Sequence, residues 1–154
     1  MDLAISEFHL RKPPWRERNK LIAKQLEKNK TVIDIGGGGA NLLNYYTPSK
    51  YLCIDGMSMP EVDITIDLNS DYQNQVPDGW DYAVNSGILE YIDDVPSFLD
   101  KQKKLASKYI FTWFPDKIHG LLGHDWVVPI IEENYTIQNT IPWGIQKVYE
   151  CDPK

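Results

Sequence analysis

The chain alternates between short apolar runs and longer stretches in which apolar residues recur at helical spacing. Four of the runs are typical of β-strands, and the first of them has the unbroken apolar character of a strand buried on both faces. The runs lie at residues 31–35, 51–54, 80–85 and 109–114. Residues 62–68 instead alternate strictly between apolar and polar positions, which predicts a half-buried strand near a sheet edge.

Three stretches between these runs predict helices. Residues 15–28 place their apolar positions on one face of a charged segment. Shorter helices are expected at residues 41–46, which end before a Thr-Pro step, and in the segment that runs through residues 98–105. Strands that alternate with helices in this way predict an α/β domain built on a parallel sheet.

The last forty residues follow a different pattern. Residues 135–141 and 145–151 are two extended candidates on either side of Pro142-Trp143-Gly144, which predicts an antiparallel hairpin with a type I turn. Residues 116–134 are interrupted by glycines and a proline, so at most a broken helix is expected there.

Composition narrows the classes of protein. With 154 residues the chain is expected to form one domain, divided into an N-terminal arm and helix (1–30), a core (31–115) and a tail (116–154). The 22 acidic residues against 16 basic ones give a net charge of −6, which disfavours nucleic acid and anionic membranes as partners. No stretch approaches the ~20 apolar residues of a membrane span or the apolar region of a signal peptide.

The two cysteines, Cys53 and Cys151, lie far apart and have no metal-ligand spacing around them. Neither a disulfide framework nor a structural zinc site is therefore expected, and no metal is expected in the functional site. A reducing, cytoplasmic location is the expectation that follows.

A run of four glycines directly after the first predicted strand carries the clearest chemical signal. The segment from Asp34 to Ala40 reads Asp-Ile-Gly-Gly-Gly-Gly-Ala, so no side chain obstructs a ligand that approaches the backbone. Asp55 closes the second predicted strand, where a carboxylate can accept hydrogen bonds from both hydroxyls of a ribose. Together these features predict a nucleoside-binding site.

The spacing of the glycines decides between two kinds of nucleoside cofactor. In the dinucleotide pattern G-x-G-x-x-G, the third glycine position falls on Asn41 or Leu42, so that pattern fits badly. The pattern D-x-G-x-G-x-G fits much better. Its matched positions are Asp34, Gly36 and Gly38, with Ala40 in place of the last glycine.

In these residues the chain resembles the class I S-adenosylmethionine-dependent methyltransferases, over roughly residues 31–115. The resemblance implies a Rossmann-like α/β fold with a mostly parallel seven-stranded sheet and a C-terminal antiparallel hairpin, here in a minimal form. It implies S-adenosyl-L-methionine as the cofactor and S-adenosyl-L-homocysteine as the product. It also places the ligand at the carboxyl ends of the first and fourth strands.

The resemblance also implies which residues contact the cofactor. Those expected around the methionine part and the ribose are Asp34, Gly36, Gly37, Gly38, Asp55, Asn85 and Ser86. Those expected beside the adenine are Gly56, Met57, Asp67 and Leu68.

One departure from the family concerns proton removal. The block Leu89-Glu90-Tyr91-Ile92 has tyrosine where relatives often have a histidine that takes part in this step. The catalytic base is therefore unknown, and each candidate is individually more typical of a surface group. The weak candidates are Tyr91, Asp116, His119 and His124. An aromatic wall for the acceptor is expected from Trp113, Phe114 and Trp126, although core packing is the commoner role for such residues.

Three hypotheses about function remain open. The first is methyl transfer to an oxygen or nitrogen of a small-molecule or glycan acceptor, in a pocket that is open or completed by a homodimer or partner subunit. The second is an NAD(P)-dependent oxidoreductase, for which no Tyr-x-x-x-Lys pair is present. The third is a non-catalytic binding or regulatory subunit with a methyltransferase-like fold. The missing base keeps this third hypothesis open, and the intact acid and glycine positions argue against it.

Overall fold

The computed structural model describes residues 14–115 and 123–154. It contains one seven-stranded sheet with the strand order β3-β2-β1-β4-β5-β7-β6. The strands are β1 (Thr31–Ile35), β2 (Lys50–Asp55), β3 (Ile64–Thr65), β4 (Trp80–Ser86), β5 (Ala106–Thr112), β6 (Tyr135–Trp143) and β7 (Gln146–Pro153). The first five strands run parallel, and β7 runs antiparallel to both β5 and β6. The predicted sheet architecture is confirmed.

Three α-helices of the described residues cover the two faces of the sheet. They are α1 (Pro14–Gln25), α2 (Val95–Lys101) and α3 (His124–Asn134). Short 3₁₀ helices lie at Asn41–Asn44, Tyr72–Asn74, Leu89–Tyr91 and Gln102–Lys104. None of the helices in the described part of the chain is long and apolar enough to cross a membrane.

Each face of the sheet has its own apolar core, because successive residues of a strand point to opposite faces. On one face, Ile22 of α1 and Leu26, which directly follows the helix, pack against Val32, Tyr82 and Val148. We call this the α1 face. On the opposite face, α2 and α3 pack against a larger core, which includes Ile33, Ala83, Leu99, Phe111, Val127, Ile131 and Tyr149.

The edge strand β3 is shorter than the alternation predicts. Residues 62–68 keep the predicted alternation of burial, but only Ile64–Thr65 pair with β2. Before β3, the carboxylate of Asp63 accepts a hydrogen bond from the backbone N–H of Cys53 at 2.8 Å. After it, Asp67 accepts from the backbone N–H of Asn69 and turns the chain. Side-chain hydrogen bonds thus end the strand on both sides.

Two predicted helices differ in extent from the structure. The segment after the glycines forms only the 3₁₀ helix Asn41–Asn44, which follows Ala40 in a left-handed conformation with φ of 55°. The segment predicted through residues 98–105 begins earlier, at Val95, because Asp94 caps the helix by accepting from the backbone N–H of Ser97. Asp94 is a favoured N-cap residue, so the sequence carried a signal for this start.

The hairpin prediction is confirmed, but the predicted turn is wrong. β6 continues through Pro142 to Trp143, which pairs with Gln146 across a two-residue turn. Gly144 opens that turn with φ of 57°, as short hairpin turns require. Pro142 fits inside β6 because this strand lies at the edge of the sheet, where a missing N–H need not break a ladder.

The expectation of at most a broken helix before the hairpin is wrong for its described part. α3 continues through Pro129, since Val127 and Ile131 lie one turn apart and are both completely buried against the sheet. This apolar burial outweighs the backbone hydrogen bond that the proline removes. The N-terminal arm and residues 116–122, which include the candidates Asp116 and His119, lie outside the described residues.

Candidate functional site

The glycine loop, residues 36–39, turns sharply where β1 ends. The backbone N–H groups of Gly36 and Gly37 both donate to the carbonyl of Ile54, at 2.8 and 3.3 Å, and so tie the loop to β2. Gly36 and Gly38 have φ of 74° and 53°, a conformation that glycine adopts without strain. The loop is therefore a defined structure that lies across the ends of two strands.

Two of the four glycines have no room for a side chain. A Cβ on Gly36 would lie 2.8 Å from Cδ1 of Ile88. A Cβ on Gly37 would lie 2.7 Å from both the Asp34 carboxyl carbon and the Cys53 sulfur. Gly39 differs, because its nearest neighbour would be the flexible Asn41 amide at 3.4 Å. Close packing beneath the loop thus explains the glycines at positions 36 and 37.

Asp55 holds the loop from the end of β2. One carboxylate oxygen accepts from the backbone N–H of Gly38 at 3.0 Å, and the other accepts from that of Met57 at 2.9 Å. A carboxylate offers about four lone-pair sites. Asp55 can therefore hold the loop and still accept hydrogen bonds from a ligand.

Asp34 lies beneath the loop and is only 3% exposed. Its carboxylate accepts a hydrogen bond of 2.6 Å from the hydroxyl of Tyr51. Burial, together with the smaller effect of the Asp55 charge, raises the pKa of Asp34 to about 6, against the opposing effects of the Tyr51 hydrogen bond and the Arg18 charge. Burial also raises the pKa of the neighbouring Cys53 thiol to about 12, so Cys53 does not supply a thiolate nucleophile.

A cleft of about 220 Å³ opens between the glycine loop, α1 and the end of β4. Its walls are the four glycines together with Arg18, Asn19, Asp34, Asn41, Leu42 and Ser86. Of the residues expected to contact the methionine part and the ribose, the structure brings Asp34, Gly36, Gly37, Gly38 and Ser86 together here.

Arg18 brings a positive charge from α1 into this cleft. Its guanidinium lies so close to Gly87 that a Cβ there would be 2.9 Å from Nη2. The atom Nη1 donates to Oε1 of Gln146 at 3.3 Å. Burial lowers the pKa of Arg18 while the charges of Glu90 and Asp34 raise it, and an arginine remains protonated in proteins. Two buried polar atoms of the lining, Nε of Arg18 and Oγ of Ser86, have no hydrogen-bond partner within the part of the chain that the structure describes.

The expected adenine-side residues lie along a second part of the same rim. Leu68 is buried, whereas Met57 is 68% exposed beside Asp55. Asn69 connects this part to the loop after β4, because its amide donates to the carbonyl of Tyr91 at 3.2 Å and accepts from the N–H of Asp93 at 2.8 Å. Two loops that are distant in sequence are thereby joined beside the site.

Asn85 does not direct its side chain into the cleft. Its amide and that of Gln102 exchange two hydrogen bonds of 3.0 and 3.1 Å, and both residues are completely buried. Of this predicted pair, Ser86 alone appears among the lining residues of the cleft. The amide pair anchors the end of β4 to the segment that follows α2.

The candidate base His124 is held by hydrogen bonds at both ring nitrogens. Nδ1 lies 2.9 Å from the Tyr149 hydroxyl, and Nε2 lies 3.0 Å from the carbonyl of Ile145. Because a carbonyl only accepts, the neutral ring donates from Nε2 and accepts at Nδ1. The ring also packs against Trp113, which is completely buried and stacked on Tyr149. Trp113 is therefore a core residue.

His124 lines a different cavity, of about 500 Å³, between α3 and the β6–β7 hairpin. Lys147 and Tyr149 also line this cavity, on the face of β7 opposite to Gln146 and Val148. Among the described base candidates, Tyr91 is 63% exposed. Partial burial and the nearby Glu90 charge raise the pKa of Tyr91, which is unfavourable for a base. The described residues contain no cluster of side chains suited to hold a metal ion.

Sequence reasoning missed Arg18, Gln146 and Asn69. A signal existed for Arg18, since it precedes the buried Ile22 by one helical turn and so shares its face of α1. No comparable signal existed for Gln146 or Asn69, because each acts through residues that are far away in the chain.

Comparison with known proteins identifies the fold. No protein-family model matches the chain, and no curated protein matches it significantly. Among solved structures, a SAM-dependent methyltransferase from Aquifex aeolicus superposes with a TM-score of 0.70 at 14% identity, over 88% of this chain and 89% of that one. The N-methyltransferase NodS from Bradyrhizobium japonicum, in complex with S-adenosyl-L-homocysteine, gives 0.70 at 16% identity, over 92% and 88%.

A third similar structure is the 1,6-didemethyltoxoflavin-N1-methyltransferase of Burkholderia thailandensis, with that compound and S-adenosylhomocysteine bound. It superposes with a TM-score of 0.68 at 13% identity, over 97% of this chain and 85% of that one. Because these sequence identities are low, the structural similarity supports a shared fold and nothing more specific. The strand order and the glycine loop at the end of β1 agree with it. The chain has the fold of the class I S-adenosylmethionine-dependent methyltransferases.

Proposed function

We propose that this protein binds S-adenosyl-L-methionine in the cleft beside the glycine loop and transfers its methyl group to an acceptor. The acceptor is a small molecule or glycan that reacts through an oxygen or nitrogen nucleophile. The observation that carries the proposal is a pair of buried polar atoms in the cleft, Arg18 Nε and Ser86 Oγ, which have no hydrogen-bond partner among residues 14–115 and 123–154. Such atoms are costly to leave without partners, and a polar ligand would satisfy them.

The residues fit the parts of this cofactor. The carboxylate of its methionine end suits the Arg18 guanidinium, and Ser86 is a second polar contact at the same end of the cleft. Asp55 has lone pairs left for the ribose hydroxyls. The exposed Met57 and Gly56, with Asp67 and Leu68, would contact the adenine. Gly36 and Gly37 let the loop lie close against the strand ends, since side chains there would clash with Ile88, Asp34 and Cys53 beneath it.

The chemistry requires chiefly that the reactants be held in line. When bound, the cofactor supplies an activated methyl group on a sulfonium centre. The chain contributes orientation, through the rigid glycine loop and the charge of Arg18, and such positioning accounts for a large part of the rate enhancement in displacement reactions. A base is needed only for a hydroxyl or a protonated amine. Neither Tyr91 nor His124 lines the described cleft, so we assign no base among the described residues.

Titration calorimetry with S-adenosyl-L-homocysteine tests the binding step, with NADH in a parallel titration. We expect micromolar binding of the former and none of NADH. Asp55→Ala should weaken the binding at least tenfold, because it removes a ribose acceptor and releases the loop at Gly38. Asp78→Ala is the matched control. Asp78 is exposed and precedes β4, so it lies at the amino-terminal end of that strand, away from the cleft. Binding of NADH alone, or equal affinity in Asp55→Ala, would contradict the proposal.

A non-catalytic binding subunit is the second candidate, and the engagement of both His124 nitrogens favours it. The two candidates differ in turnover. Release of S-adenosyl-L-homocysteine from S-adenosyl-L-methionine with any acceptor from a panel of amines, phenols and glycans would support the enzyme. Tight binding of the cofactor without turnover for the whole panel, with and without a partner subunit, would support the binding protein.

A further inference from the structure

Gln146 connects three elements at the edge of the cleft. It is the first residue of β7, is 5% exposed and directs its side chain to the α1 face. Its Oε1 atom accepts from Nη1 of Arg18 at 3.3 Å and lies 3.4 Å from Oγ1 of Thr112, which is completely buried at the end of β5. The described contacts of Gln146 therefore hold the Nη1 end of the Arg18 guanidinium in place.

The position of Gln146 is itself held by the hairpin and by α3. Gln146 pairs with Trp143 directly after the two-residue turn. The carbonyl of Ile145, one residue earlier, is bound by the His124 ring at the start of α3. The C-terminal hairpin and α3 thus support a side chain that contacts the cofactor cleft on the other face of the sheet.

The chemical nature of Gln146 matters as much as its position. An amide oxygen holds the guanidinium without neutralising its charge, whereas a carboxylate there would form an ion pair. The charges of Glu90 and Asp34 already act on Arg18. A neutral partner at position 146 leaves more of the positive charge for a ligand. The buried Nε atom of the same guanidinium has no hydrogen-bond partner among the described residues.

We propose that Gln146 is a positioning residue that orients Arg18 toward the carboxylate of the cofactor and so sets the preference of the cleft for a ligand with an amino acid end. This inference rests on the proposed function, because it assigns the methionine part of S-adenosyl-L-methionine to the Arg18 end of the cleft.

Two ligands that share an adenosine separate this role from a merely structural one. S-adenosyl-L-homocysteine carries the amino acid end, and 5′-methylthioadenosine lacks it. Gln146→Glu should weaken S-adenosyl-L-homocysteine by about tenfold or more, as expected when one charge-assisted hydrogen bond is lost. Gln146→Leu removes the acceptor and should weaken the same ligand. In both variants the affinity for 5′-methylthioadenosine should stay within about twofold, measured by calorimetry.

The ratio of the two affinities is an internal control for folding, because a partly unfolded sample weakens both ligands equally. Gln138→Glu is the matched variant, since Gln138 is an exposed glutamine of the same hairpin and contacts only Asp152 among the described side-chain hydrogen bonds. It should leave both affinities unchanged. In an Arg18→Met background, Gln146→Glu should no longer change the ratio, because the guanidinium on which it acts is gone.

Three outcomes would overturn the inference, and they are distinguishable from failure of the proposed function. Unchanged affinity for S-adenosyl-L-homocysteine in both Gln146 variants would do so, as would equal weakening of both ligands. Equal binding of the two ligands by the wild-type protein would remove the assignment of Arg18 while keeping an adenosine site. If the wild-type protein binds neither ligand, the proposed function fails, and the inference fails with it.

Discussion

At the scale of single residues, the site depends on a buried carboxylate whose charged form is destabilised by its burial. Asp34 supports the glycine loop from below, where it receives one hydrogen bond from Tyr51 and has little contact with water. Its raised pKa means that the folded protein binds a proton more tightly than the unfolded chain does. The position of Asp34 therefore costs folding free energy at neutral pH, which is a common feature of functional sites.

Asp34→Asn should stabilise the protein in a pH-dependent way. With a folded pKa of about 6, the wild-type free energy of unfolding falls as pH rises from about 4 to above 6, because the folded state must then lose a proton that it holds more tightly. The advantage of the variant over wild type should grow by about 3 kcal/mol across this range, from about two pKa units. Urea unfolding at a series of pH values measures it. A difference that is constant with pH would show that Asp34 ionises normally.

At the scale of elements, the glycine loop joins β1, β2 and the segment after β4 into one rim. It is bound to Ile54 by two backbone hydrogen bonds and to Asp55 by a third. Ile88 packs beneath Gly36 on one side, and Asp34 and Cys53 pack beneath Gly37 on the other. The loop therefore cannot move away from a new side chain without breaking these contacts.

Two substitutions in the same loop should have different effects. Gly37→Ala places a methyl group 2.7 Å from Asp34 and Cys53, so either the loop or the β2 end must move. We expect a loss of about 1–3 kcal/mol in unfolding free energy, typical of overpacking, and at least tenfold weaker binding of S-adenosyl-L-homocysteine. Gly39→Ala meets only the Asn41 amide at 3.4 Å and should change both quantities little. Equal effects of the two substitutions, in thermal unfolding and calorimetry, would refute the packing argument.

At the scale of the whole molecule, the cleft draws on elements from both ends of the chain. Arg18 comes from α1, Ser86 from the end of β4, and Gln146 from the last strand. These elements meet because β7 runs antiparallel to β5, so that the start of β7 lies on the same side of the sheet as the carboxyl ends of the parallel strands. A ligand in the cleft should therefore stabilise the entire fold, and not only one loop.

S-adenosyl-L-homocysteine should raise the unfolding temperature of the wild-type protein. At a concentration of about 100 Kd, ligand binding adds about 2.7 kcal/mol to the unfolding free energy. For a domain of this size that corresponds to about 5–10 °C in Tm. NADH at the same concentration should leave Tm unchanged. Differential scanning fluorimetry makes the comparison, and an equal shift with NADH would indicate a general dinucleotide site.

Much of the architecture could be predicted from local patterns. β1 occupies residues 31–35 as predicted, because a short apolar run between a polar segment and glycines has few other stable conformations. The hairpin was predictable because its two strands are adjacent in sequence, while its turn was not. Whether the chain turns at Pro142 or at Gly144 depends on the edge position of β6, and that position is a property of the complete sheet.

The candidate site divides in the same way. The acid, the glycine loop and the acid that closes β2 were recognisable because they are local in sequence and their spacing follows from a strand-turn-helix unit. The roles of Asn85 and His124 were not, because one pairs with Gln102 and the other with Tyr149 and Ile145. A side chain's residue type does not reveal whether its polar atoms already have partners within the fold.

By itself, then, the sequence determined the strands of the parallel core and the glycine loop between Asp34 and Asp55. The spacing of apolar residues along a strand and the conformational freedom of glycine are both local properties of the chain. Only the tertiary structure decided which charges reach the cleft. Arg18 and Gln146 lie 128 residues apart, and they meet because α1 packs over the sheet at the start of β7. Long-range packing selects such partners, and no pattern within a short window encodes them.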